Sequence, residues 1–266
     1  MILPILFRIF RITLLLVIFI GIAFYSKTQK LKSRSWSEPL QVIIYPINGE
    51  GSPVVDAYIS QLDNSVFAEI DRFFQHEAEH YSLFLENPTQ TELGATMSTQ
   101  PPPSPNPRDS MIKTILWGVK FRYWAFKNTP DDDSNFQRIR VFLHYHEAVD
   151  NKELQHSLGL DKGLLAIVHA FASKDQEQQN NIVIAHELLH TVGATDKYDR
   201  NNQPIFPDGY ADPQQTPLFP QIQAEIMAAK IPLSDSESKM AESLSQCIIT
   251  DKTAREINWL QENAYD

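Results

Sequence analysis

The stretch Asn180-Asn181-Ile182-Val183-Ile184-Ala185-His186-Glu187-Leu188-Leu189-His190-Thr191-Val192-Gly193-Ala194-Thr195-Asp196 decides how the rest of the chain is read. His-Glu-x-x-His on a helix sets two imidazoles at i and i+4, one turn apart on one face, where both reach a single Zn2+ at ~2.0–2.1 Å. Glu187, next to the first ligand, is the candidate general base, because zinc lowers the pKa of bound water toward ~7 and a nearby carboxylate can take the proton. Ile182 to Ala185 before the motif and Leu188-Leu189 within it predict a buried helix, whose polar centre then needs a reason to be polar.

Two imidazoles are one ligand short of a catalytic zinc site. No histidine follows His190, so the third ligand is a carboxylate or, less often, a tyrosine. Asp196 lies six residues on, across Gly193, and that glycine can end the helix in a left-handed conformation and turn the chain back to the metal. Downstream acids, Glu225 or Glu237, are the alternative.

His76-Glu77-Ala78-Glu79-His80 matches the same five-residue pattern. It carries charged Glu79 inside the motif, sits among Asp, Arg, Glu and His, and has no following glycine turn or acidic ligand. His76 and His80 are therefore read as residues at the edge of a helical stripe.

The longer pattern, His-Glu-x-x-His-x-x-Gly-x-x-Asp over His186 to Asp196, resembles the metzincin clan of zinc metallopeptidases, in the variant where Asp replaces the usual third His. Ile226-Met227-Ala228, some thirty residues downstream, is similar to that clan's Met-turn, which places a Met side chain beneath the zinc. The resemblance covers roughly residues 164–227. It implies a zincin-like α/β fold with a mixed sheet packed on helices, peptide hydrolysis, and zinc held by His186, His190 and Asp196 with Glu187 as general base. It also implies an extended substrate bound along the strand before the helix, for which Leu164 to Ala172 is the counterpart. Ala228-Ala229 departs from those members that place a switchable Tyr after the Met. Tyr198 and Tyr210 are nearer candidates for oxyanion stabilisation, each expected to be structural, and His144, His146 and His169 are expected to be packed strand histidines. The segment from Asp196-Lys197-Tyr198-Asp199 to Tyr210-Ala211-Asp212-Pro213 resembles membrane-anchored bacterial proteins with the same signature.

Composition sets the frame for these sites. The chain has 266 residues, 42% hydrophobic and 21% charged, which suits one sizeable domain plus an appendage. Six of 23 basic residues and none of the 33 acidic ones precede residue 36, so residues 36–266 carry 17 basic charges against 33 acidic, a net −16. That acidity argues against a nucleic-acid grip. A lone Cys247 excludes intramolecular disulfides and Cys-rich metal sites.

Met1 to Tyr25 is apolar apart from Arg8, Arg11 and Thr13, and predicts a membrane segment. No small-x-small motif follows, so a retained signal anchor over 1–26 is preferred to a cleaved signal peptide. A basic juxtamembrane linker is expected over 27–39 and the zincin-like domain over 40–266. Counting flanking bases favours a cytoplasmic domain, but a short positive head before the apolar core is the usual shape of an exporting anchor. The domain is thus expected outside the cytoplasm, on what the resemblance suggests is a bacterial inner membrane.

Within the domain, strands are expected at Val42 to Ile47, Arg138 to Tyr145 and Leu164 to Ala172, with the β-prone aromatic segment Phe121 to Phe126. One helix is expected from Val54 to about Phe84, a short one from Ile112 to Val119, a solvated Pro-rich loop over 86–110, and a turn at Asp131-Asp132-Asp133. The expected partners are a peptide or protein substrate and the membrane. The competing class is a non-catalytic zincin-fold scaffold that tethers partners through its Pro-rich loop.

Overall fold

A computed structural model describes residues 2–105, 110–129, 138–149, 154–160 and 163–260. The elements run α1 (Ile2–Ser33), β1 (Leu40–Asn48), α2 (Pro53–Ile59), α3 (Ala68–His80), β2 (Thr89–Leu93), α4 (Met111–Asn128), β3 (Arg138–His146), β4 (Leu158–Leu160), β5 (Leu165–Phe171) and α5 (Glu177–Val192). Short pieces complete the chain: β6 (Ala224–Glu225), β7 (Lys230–Pro232), β8 (Ser238–Met240), β9 (Cys247–Ile248) and α6 (Asp251–Glu256).

The main sheet is mixed, in the order β2-β1-β3-β5-β4, with only β4 antiparallel to its neighbour. Alternation along β3 sends Ile139, Val141, Leu143 and Tyr145 into the core shared with α2, α3 and α5, and Phe142 into a second core under α4. Each fully buried Ile, Leu or Phe in these layers contributes about 1.5–3 kcal/mol. Both sheet faces are covered, which explains why β1, β3 and β5 read as nearly continuous apolar runs.

Four expectations are corrected. The single helix over 54–84 is two, because Ser60 ends α2 and the Asp63 side chain accepts the Ser65 N–H at 2.7 Å to start a 3-10 turn ahead of α3. Phe121 to Phe126 is helical, since Trp117, Phe121 and Ala125 at four-residue spacing pack on the sheet and Ser110 caps the first turn. The loop over 86–110 contains a strand: Asp71 of α3 accepts the Thr91 N–H at 2.9 Å and the Thr89 and Thr91 hydroxyls at 2.7 Å, holding β2 against β1. Pro101 is buried, and Trp117 donates its indole N–H to the Pro102 carbonyl at 3.0 Å. Residues 106–109 and the Asp131-Asp132-Asp133 turn lie outside the described residues.

The fourth correction concerns the linker. Helix α1 runs unbroken to Ser33, and its Phe10–Ser33 segment of 24 residues is long and apolar enough to cross a membrane or serve as a signal sequence. Its end locks into the domain: Gln29 and Ser33 are buried, Trp36 packs on Trp259 with ring centroids 5.3 Å apart, and the Trp36 indole donates to the Ile257 carbonyl at 2.6 Å. Within 27–39, residues 27–33 are thus the end of α1, and Gln29, Ser33 and Trp36 are its buried contacts with the domain.

Candidate metal centre

Helix α5 is buried nearly all round, and asparagines hold it in place. The Asn180 amide donates to the Phe171 carbonyl at 2.9 Å and accepts the Phe171 N–H at 3.2 Å, tying the helix to the end of β5, while Asn181 donates to the Val66 carbonyl at 2.8 Å. Gly193 ends the helix at φ 109°, a conformation that L side chains rarely adopt, and the following Ala194 N–H returns to the Leu189 carbonyl at 3.0 Å. The reversal expected from this glycine brings Asp196 back beside the two histidines.

Nε2 of His186 and Nε2 of His190 are 3.0 Å apart, and Oδ1 of Asp196 is 3.2 Å from the first and 3.0 Å from the second. His186 turns Nδ1 to the Ile226 carbonyl at 3.1 Å, and His190 turns Nδ1 to the Ala194 carbonyl at 2.9 Å. A carbonyl accepts only, so each ring carries its proton on Nδ1 and points an Nε2 lone pair inward. Three acceptor atoms then crowd one point with no donor among them, an arrangement that repels unless a cation sits there. Ligand atoms on a tetrahedral zinc stand roughly 3.3 Å apart, close to the spacing observed. The donor set therefore fits a zinc ion.

Among the described residues, no other group of three His, Cys, Asp or Glu side chains converges in this way. Glu225 lies elsewhere, fully buried, with its carboxylate accepting the Met227 N–H and the Thr253 hydroxyl, both at 2.6 Å. Burial raises its pKa to about 7 against those hydrogen bonds and the charge of Lys197. Glu237 is exposed at the turn between β7 and β8. Neither is placed as a third ligand. Met227 is fully buried in the turn 225–229, whose Ile226 carbonyl receives His186 and whose Met227 carbonyl receives the Lys197 N–H at 3.0 Å.

His186 of the cluster lines a cleft of about 430 Å³, together with Glu187, Tyr198, His169 and Ser157 among others. Glu187 is buried, and its Oε2 has no hydrogen-bond partner. Burial raises its pKa although the neighbouring imidazoles pull it down. Tyr198 stacks its ring 6.2 Å from that of His186, whereas Tyr210 packs between Phe206 and Phe219 away from the cleft.

The strand beside the cleft differs from expectation. β5, over the expected Leu164 to Ala172, is interior to the sheet, and β4 takes the edge. Its Gly159 lies so close to α5 that a Cβ there would stand 2.4 Å from the Glu187 carbonyl and 2.7 Å from the His190 Cβ. Three residues around Asp196 carry no sequence signal of their own. Buried Lys197 donates to Glu256 at 2.7 Å and to the Thr195 carbonyl at 2.8 Å, and Glu256 in turn accepts the Thr195 N–H at 2.9 Å. This network fixes the residues on both sides of Asp196.

His169 reaches the cleft as the last link of a chain. Its Nδ1 lies 3.0 Å from Nε2 of His146, whose Nδ1 lies 3.2 Å from Glu50. His144, buried alongside, has an Nε2 with no hydrogen-bond partner. The other His-Glu-x-x-His segment gathers nothing: His76 and His80 are exposed, and Glu77 turns inward to accept the Ile249 N–H at 2.6 Å.

No protein-family model matches this sequence, and a search of curated proteins returned no match.

Proposed function

We propose that the chain is a membrane-anchored, zinc-dependent metallopeptidase of the zincin type, with His186, His190 and Asp196 as zinc ligands and Glu187 as general base. The observation that carries this reading is the convergence of three lone-pair atoms beside an open cleft into whose wall a buried, unpartnered Glu187 oxygen is built. Three ligands with a free side belong to a catalytic site, whereas a structural zinc is closed by four. A zinc ion held there would supply Lewis acidity and lower the pKa of water from 15.7 to about 7.

Glu187 takes a proton from water as its oxygen attacks the peptide carbonyl, and returns that proton to the leaving amine. The extended substrate adds to the outer side of β4, the edge strand of the main sheet. His169, held by His146 and Glu50, orients it. On this reading the domain lies outside the cytoplasm, and a reporter fused after Asp266 should be active only there.

The test is a digest of a peptide library by the purified full chain, run with metal analysis. About one zinc per chain and cleavage that a chelator stops are expected. Glu187→Gln should keep the zinc and lose about 10²–10⁴-fold in rate. Cleavage unaffected by Glu187→Gln, or a zinc-loaded protein that cuts nothing, would overturn the assignment.

A further inference from the structure

Helix α4 has two apolar faces and only one of them is covered. At 100° per residue, Trp117, Phe121 and Ala125 face the sheet and are buried. Met111, Ile112, Ile115, Leu116, Val119, Tyr123 and Phe126 fall on an arc of about 140° pointing away, and each is more than half exposed. Lys113, Lys120 and Lys127, spaced by seven residues, run along one border of that arc. A helix that is apolar almost all round is normally buried all round, and seven large side chains in one patch exceed what a soluble surface carries.

Charge points to the occupant. Residues 111–128 hold four basic side chains and no acidic one, while the rest of residues 36–266 holds 13 basic against 33 acidic. A positive, apolar helix on an otherwise acidic domain matches an anionic lipid surface, with the lysine stems lying along the acyl boundary and Tyr123 at headgroup depth. A second copy docked on this face would bring like charges together.

Position agrees with that reading. α1 enters the domain without a break and leads into the start of β1, and the hydroxyl of Thr129, just past α4, accepts a hydrogen bond from the Arg140 guanidinium of β3 at 3.0 Å. Those two strands are parallel neighbours, with Gln41 opposite Arg138, so the membrane helix and the C-terminal end of α4 meet the same end of the sheet.

We propose that the outer face of α4 lies in the interface of a bilayer containing anionic phospholipid, as a second membrane contact that fixes the domain's orientation. This rests on the membrane-anchor part of the proposed function and not on the peptidase part.

The test uses the full chain, with Cys247→Ser, in nanodiscs of phosphatidylcholine with or without phosphatidylglycerol. A bimane label is placed by Val119→Cys on α4, by Leu16→Cys on α1, or by Lys252→Cys on the exposed side of α6, and quenching by spin-labelled lipid is read. Quenching at 119 several-fold above that at 252, stronger with phosphatidylglycerol and reduced by Lys120→Glu with Lys127→Glu, is the expected result. Quenching at 16 without quenching at 119 overturns the proposal while leaving the anchor intact. A label at 119 shielded from both lipid and aqueous quenchers overturns it in favour of a protein partner or a second copy. Absence of quenching at 16 overturns the anchor, and this inference with it.

Discussion

The chain contains the same five-residue pattern twice, on α3 and on α5, and the two helices use it in opposite ways. On α3 the buried stripe is Ile70, Phe73, Phe74, Glu77 and Ala78, so the glutamate turns inward to a backbone amide and the histidines turn to solvent. On α5 both histidines point into the protein, each fixed through Nδ1 by a carbonyl from outside its own helix turn, Ile226 or Ala194. Spacing puts two imidazoles on one side of a helix in either case. Which side the fold buries, and what lies opposite, decides whether they form a site.

The sharpest way to break this comparison is to remove histidines from each helix. His186→Ala, His190→Ala or Asp196→Ala should leave two ligands, empty the zinc site and abolish cleavage, while His76→Ala combined with His80→Ala should change neither. Metal content by plasma mass spectrometry reads the difference directly. Equal zinc loss from the α3 double variant would reverse the assignment of the two motifs.

A smaller effect sharpens the role of surroundings. Gly159→Ala adds a Cβ that would stand 2.4 Å from the Glu187 carbonyl, and backbone cannot yield there as the tip of a flexible side chain could. α5 must shift, and misplacing catalytic groups by about 1 Å can cost about 10²-fold in rate. kcat/KM should fall by about that factor with the domain still folded, and an unchanged value would show that β4 does not set the position of Glu187.

Local pattern made much of this legible. The apolar runs in β1, β3 and β5, the buried character of α5, the left-handed Gly193 and the return of Asp196 all follow from residues close in sequence. What stayed hidden depends on partners far away. The aromatic run Phe121 to Phe126 favours strand by composition, and only its packing on Phe142 and Tyr45 makes it helix. Thr89 to Leu93 lacks the apolar alternation of a strand and is one because Asp71 holds its backbone. Lys197 and Glu256, 59 residues apart, become a buried ion pair beside Asp196 with no pattern to announce them. Gly159 sits in a three-residue strand too short for any periodicity.

The buried glutamate of α3 gives a stability test of its own. Glu77→Ala removes the acceptor of the Ile249 N–H in a buried position, which should cost about 1–3 kcal/mol in denaturant unfolding. Zinc content should not move. Loss of zinc at unchanged stability would mean that α3 contributes to the metal after all.

The smallest effect concerns His144, whose ring centroid lies 5.1 Å from that of His169. Burial first, and the neighbouring charges of His169 and His146 second, depress its pKa from 6.5 to about 3. The unfolded chain therefore binds this proton at a pH where the folded chain does not, so the stability it contributes is complete above about 6.5 and is lost as pH falls toward 3. His169, depressed to about 4 by burial and His146, behaves likewise. His144→Gln removes one titrating group without touching a zinc ligand, so a fall in stability caused by metal loss in acid is common to both proteins and cancels in the comparison. Between pH 6.5 and 5, wild type should lose on the order of 1–2 kcal/mol more than His144→Gln. Parallel pH profiles for the two proteins would mean that His144 is protonated in the folded state and that the histidine group is open to water.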